Sequence, residues 1–315
     1  MKYINILLLL PLLIFASACS NDELSSQSIF NTSAPERTEF DTWILNNYTK
    51  PYNIQFNYLY NDKLSDNYYN VAPATIQNSK AMAILLKHIW LDAYKEAVGE
   101  DFVKSNTFRV IQLIGTPEYN SQNEIILGTA EGGVQITLFR LNELDLDNIY
   151  VNQNNPFEDH TKLPLDLNYW YFKTMHHEFC HILTQKKNYS TEFATISAGG
   201  YHAANWVNVD DIDAPLEGFV SGYASKEYNE DFAELYSTYV TSSPEAWEQI
   251  LNKGIKYSED GITVKSKSGR DKIVTKMGVV KSYFQTVWGV NLDELRTIVL
   301  RRSSEAATLD LKNLK

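Results

Sequence analysis

His177-Glu178-Phe179-Cys180-His181 sets two imidazoles four residues apart. On a helix both lie on one face, a single turn apart, so they can reach one metal ion at the usual zinc–nitrogen distance of about 2.0–2.1 Å. Glu178 then stands beside the metal and not on it. Water on zinc has its pKa lowered to about 7, and a neighbouring carboxylate takes its proton and passes it to a leaving amine. The implied chemistry is metal-assisted hydrolysis.

Two helices must position these groups. Leu165 to Lys187 carries no glycine or proline, and Tyr171, Met175, Phe179 and Ile182 recur at helical spacing, which predicts an apolar stripe on a core with His177 and His181 facing a cleft. Phe232, Leu235, Tyr236 and Tyr239 predict a second helix over Glu227 to Val240, with Glu230 and Glu234 one turn apart on one face. Glu230 is expected on the metal. Glu234 is expected behind it, accepting the second N–H of His177 or His181, while Asp231 points elsewhere. Cys180 lies about 100° around the helix from His181 and is expected in the core. By the same rotation His176 is expected behind a ligand or at the surface, and His88 in apolar packing. One zinc per chain with an open water position follows.

At these residues the sequence resembles a known group. His177, Glu178 and His181 with a later glutamate look like the gluzincin class of metallopeptidases. Tyr223, in Ser221-Gly222-Tyr223, followed by Glu230-Asp231-Phe232-Ala233-Glu234, is similar to the catalytic region of anthrax lethal factor. There a tyrosine upstream of the ligand helix assists catalysis, which implies Tyr223 as donor to the substrate oxyanion; His202 is the alternative donor. The likeness covers Leu165 to Val240. Over its whole length the chain resembles the zinc-binding metallopeptidase lipoproteins of Bacteroidetes, whose implied activity is proteolysis. A peptide or protein substrate is therefore expected. The other reading is a zincin scaffold without turnover that binds peptides or glycans at the cell surface; the presence of Glu178 argues for the enzyme.

The amino terminus carries a separate message. Lys2 precedes an apolar run from Ile4 to Phe15, the length of a signal-peptide core and too short to span a bilayer well. Ala16-Ser17-Ala18-Cys19 resembles a lipobox, so Cys19 is expected to carry lipid and tether the chain to a membrane. Residues 1–18 then form the signal peptide and 19–36 a flexible, Ser- and Asn-rich tether. A catalytic domain follows over 37–315. Acidic residues after the cysteine resemble a surface-export signal, which implies the bacterial envelope and its outer membrane. Cys180 has no partner for a disulfide, since only two cysteines are present. A net charge of −11 with no basic stripe argues against a nucleic-acid partner.

The predicted class is α+β and zincin-like, with an upstream α/β lobe over 37–187 and a downstream helical lobe over 188–315. Strands are predicted at 53–60, 107–114, 124–127 and 134–141, a long helix at 74–98, and a turn at Gly132-Gly133. An edge strand that pairs with extended substrate is assigned to Val134 to Phe139. Downstream, helices are predicted at 244–254, 271–288 and 292–307, with a hairpin or loop at 258–269.

Overall fold

The Thr75 hydroxyl accepts the N–H of Asn78 and starts the helix Ile76–Leu86. It continues through a π-helical stretch, Lys87–Leu91, into Asp92–Val98, so the predicted long helix is present. The computed structural model describes residues 36–64, 70–119, 125, 126, 128–131 and 134–315. The signal segment, Cys19 and the Gly132-Gly133 turn lie outside them. Among the described residues no helix is long and apolar enough to cross a membrane.

Upstream, Ile54, Phe56 and Tyr58 are buried on one side of β1 (Gln55–Asn57), whereas Tyr60 beyond them is exposed. The long helix crosses from β1 to β2 (Val110–Leu113), which pairs parallel with it, as such a crossover requires. A separate pair, β3 (Glu118–Tyr119) and β4 (Ile125–Ile126), is antiparallel. β5 (Gly128–Glu131) and β6 (Gln135–Leu138) complete the sheet, in the order β1-β2-β6-β5. All four residues of β6 are buried, the pattern of a strand covered on both faces.

That order corrects the expected edge. β6 pairs parallel with β2 on one side and antiparallel with β5 on the other, so Val134 to Phe139 is interior and β5 is the outer strand. Gly128-Thr129-Ala130-Glu131 shows no alternation and little β preference. Its pairing with β6 makes it a strand, and pairing cannot be read from four residues.

The third upstream element carries the motif. A π-helical turn, Asn168–Phe172, leads into Lys173–Lys186, and Tyr171, Met175, Phe179 and Ile182 are all buried as predicted. Phe179 meets Trp90 and Tyr94 of the long helix edge-on, at 5.3 and 4.9 Å between ring centroids.

Downstream, Tyr228–Thr241 is buried continuously from Glu230 to Thr241. Helices Pro244–Lys253, Ser268–Tyr283 with a π-helical end at Phe284–Trp288, and Leu292–Ser304 follow the predicted pattern, and β7 (Lys256–Tyr257) and β8 (Val264–Ser266) form the hairpin. Ser243 and Asn291 cap the first and last of these helices. Leu292–Ser304 packs against Tyr228–Thr241 and also against Asp92–Val98. Arg301 and Arg302 each reach Glu96 at 2.7 Å, and His88 meets Glu305 at 2.8 Å rather than sitting in apolar packing. Glu39–Lys315 accordingly forms one compact unit.

Candidate metal centre

Two antiparallel duties fall on the motif helix: its stripe of large apolar residues faces the long helix, and its His177 and His181 face Tyr228–Thr241. Tyr228–Thr241 packs along the motif helix, with Phe232 stacked on Tyr189 just beyond that helix at 4.0 Å and Tyr236 on Phe284 of the downstream helical end at 4.3 Å. His177 Nε2, His181 Nε2 and Glu230 Oε2 converge. The two nitrogens are 3.1 Å apart, and the oxygen lies 3.1 Å from His177 and 3.2 Å from His181.

Such a triangle fits zinc. A point just out of its plane lies about 2.0–2.2 Å from all three atoms, the usual zinc–nitrogen and zinc–oxygen distances. Three lone pairs this close also repel unless a cation sits among them. In the protein alone a proton meets that need: burial would lower the His177 pKa, but hydrogen bonds to Glu230 and Glu234 and the charges of Glu234 and Glu178 raise it to about 10. Glu230, although burial pushes it up, is held far below the usual carboxylate range by the two histidines. Zinc and proton compete for the same three atoms. Among the described residues these form the one group of three or more His, Cys, Asp or Glu residues able to hold a metal.

Glu234 stands where the spacing puts it. Its Oε1 is 2.9 Å from His177 Nδ1, while Oε2 accepts from Lys173 Nζ at 2.8 Å and Ser221 Oγ at 2.5 Å. With Nδ1–H donated to a carboxylate, His177 keeps its Nε2 lone pair for a metal. Despite burial, the charge of Lys173 and the hydrogen bond from His177 hold Glu234 well below its ordinary pKa.

Glu178 is different. It is half-buried beside His177, and no hydrogen bond to its carboxylate is found among the described residues. Burial raises its pKa, against the opposing charges of His177 and His181, which suits a proton acceptor.

Tyr223 opens a short 3₁₀ turn, and its hydroxyl donates to Glu230 Oε1 at 2.8 Å. The turn is fastened from outside. Gly222 N–H donates to Asp211 Oδ1 at 2.7 Å, His202 N–H donates to the Ser225 carbonyl at 2.7 Å, and the Trp206 ring meets that of Tyr223 edge-on at 4.9 Å. Glycine is required at 222, because a Cβ there would lie 2.1 Å from the Val209 carbonyl oxygen.

The remaining expectations divide. Cys180 is fully buried, free and raised well above its ordinary pKa by burial, so it is core and no ligand. Asp231 does point elsewhere, to Lys276 at 2.6 Å and Tyr201 at 3.0 Å. His202 pairs with Glu217 at 2.6 Å, not with any member of the group. His176 is not at the surface: it is fully buried, accepts or donates at Tyr94 at 2.8 Å, and is lowered to about 3 by burial. Lys173, Ser221 and Lys226 were not foreseen. Lys173 and Lys226 each precede a site residue by four, the one available signal, whereas nothing marks Ser221.

No curated protein matches the chain. A crystal structure of a "putative zinc-binding metallo-peptidase" from Bacteroides caccae is 36% identical to it, with a TM-score of 0.70 over 91% of this chain and 100% of that one. Residues 33–293 match the family described as "putative zinc-binding metallo-peptidase", a span that contains both helices and every residue of the zinc-compatible group, and the chain belongs to that family.

Proposed function

We propose that the chain hydrolyses peptide bonds as a gluzincin-type zinc peptidase, with His177, His181 and Glu230 holding the metal. Zinc, when bound, supplies a Lewis acid for a carbonyl oxygen and lowers the pKa of water. Glu178 takes a proton from the attacking water and delivers it to the amine nitrogen as the C–N bond breaks. The Tyr223 hydroxyl turns from Glu230 to the substrate oxygen and donates to it as negative charge builds there. Glu234, held by Lys173 and Ser221, keeps His177 in one tautomer throughout. The observation that carries this reading is the Glu178 carboxylate, without a hydrogen bond among the described residues, beside the converging His177 Nε2, His181 Nε2 and Glu230 Oε2.

Digestion of a proteome-derived peptide library, read by mass spectrometry, tests it. Cleavage is expected that stops with a chelator and returns with zinc, from protein carrying about one zinc per chain. Zinc-loaded protein that cuts no peptide would sink the peptidase and leave a binding scaffold.

We further propose that lipid on Cys19 anchors the chain to the bacterial envelope, on the support of the apolar run and Ala16-Ser17-Ala18-Cys19. The amino-terminal peptide from membrane fractions should begin at acylated Cys19. In Cys19→Ser the protein should become soluble, because a net charge of −11 offers no attraction to anionic lipid. Continued membrane association would refute the anchor.

A further inference from the structure

The two carboxylates around His177 are built alike, and the likeness exposes a difference. Each turns one oxygen to a His177 nitrogen and gives the other to one ammonium and one hydroxyl. For Glu234 the pair is Lys173 and Ser221. For Glu230 it is Lys226, whose Nζ is 2.9 Å from Oε1, and Tyr223, whose hydroxyl is 2.8 Å from the same atom. Ser221 has no other task in the proposed reaction. Tyr223 must leave its carboxylate to reach the substrate oxygen. A buried acceptor left without a donor costs the full desolvation of that group, so a lone hydroxyl on Glu230 Oε1 would be held there.

Lys226 removes that constraint. Its ammonium has three donors and already reaches both Glu230 Oε1 and, at 3.3 Å, the Tyr223 oxygen. Its side chain is 39% exposed, against 12% for Glu230, so it enters from the solvent side of the site. We infer that Lys226 is a positioning residue that keeps Glu230 Oε1 satisfied, and Glu230 bound to metal through Oε2 alone, while the Tyr223 hydroxyl transfers to the substrate. Donation from Lys226 to the phenol oxygen also polarises the Tyr223 O–H and makes it the better donor.

This inference rests on the metal and oxyanion roles assigned above, and its test separates the two. Tyr223→Phe, which removes the donor, should lower kcat by about 10²–10³ at nearly unchanged KM. Lys226→Met should release zinc to a chelator about tenfold faster and lower kcat about tenfold, again with little change in KM. Lys226→Arg should recover most of both. In the Tyr223→Phe background, Lys226→Met should still speed zinc release but leave kcat within about twofold, because no hydroxyl remains to be freed. A cobalt-substituted Lys226→Met protein should also show the weaker visible absorption of higher coordination, as Glu230 swings to bind through both oxygens. Equal fold-losses of kcat in both backgrounds, or zinc release and cobalt spectrum like wild type, would overturn the inference. A fully active Tyr223→Phe would instead overturn the oxyanion role, and a wild-type chain without zinc the metal assignment.

Discussion

Glu178→Gln should fold, hold its zinc and lose turnover by about 10²–10⁴, the contribution of a positioned general base. The substitution keeps the side chain's size, and the amide oxygen cannot retain a proton taken from water. Among the described residues no hydrogen bond is lost with it. Burial opposes a charge at this position, as do the carboxylates of Glu230 and Glu234, while His177 and His181 favour it, so a neutral residue of the same size should leave Tm close to wild type. The result needs three measurements on one preparation: zinc content, Tm, and turnover of a peptide found in the library digest. His177→Ala gives the contrast, because it should lose metal together with activity. Wild-type turnover by the Gln variant would exclude Glu178 as the base.

The features behind that prediction were legible in the sequence because they are local. Two histidines and a glutamate within one helical turn, and the stripe of Tyr171, Met175, Phe179 and Ile182, need only the geometry of a helix. Glu230 and Glu234 were legible in the same way, from the period of Phe232, Leu235, Tyr236 and Tyr239. What depends on pairing or packing across the chain was not. β5 is a strand because Gly128 to Glu131 lies against Leu138 to Gln135, and its own residues do not announce it. His176 and His88 are placed by neighbours from remote segments, Tyr94 and Glu305, which local rotation around a helix cannot supply. Lys173 shares a face with His177 and His181, so its presence near the metal could be read. Its partner Glu234 could not.

The same distinction governs the largest expected effect on stability. Lys276 and Asp231 form an ion pair at 2.6 Å in which both side chains are 0% exposed, joining Ser268–Tyr283 to the helix that carries Glu230. Lys276 also lies 4.4 Å from the centre of the Phe219 ring, and Tyr201 donates to Asp231 at 3.0 Å. Burial is the stronger influence on both: it raises the Asp231 carboxyl to about 6 against the charge of Lys276, and lowers Lys276 against the charge of Asp231. A pair in that state adds little net stability over apolar groups of the same volume, yet removing one partner leaves a buried charge unanswered. Lys276→Met should therefore cost about 3–5 kcal/mol, a fall in Tm on the order of ten degrees for a chain of this size. Asp231→Asn should cost a similar amount. The double variant should recover much of the loss, because neither charge remains to be desolvated. Asp231 lies about 100° around the helix from Glu230, so the folded fraction of every variant should still carry zinc. Thermal melts of the two single variants and the double variant, with zinc analysis of the folded protein, decide the matter. A double variant that loses as much as either single variant would show that the pair stabilises the fold outright, additive losses would show that the two side chains act independently, and a Tm near wild type in Lys276→Met would show that Asp231 does not depend on its cation.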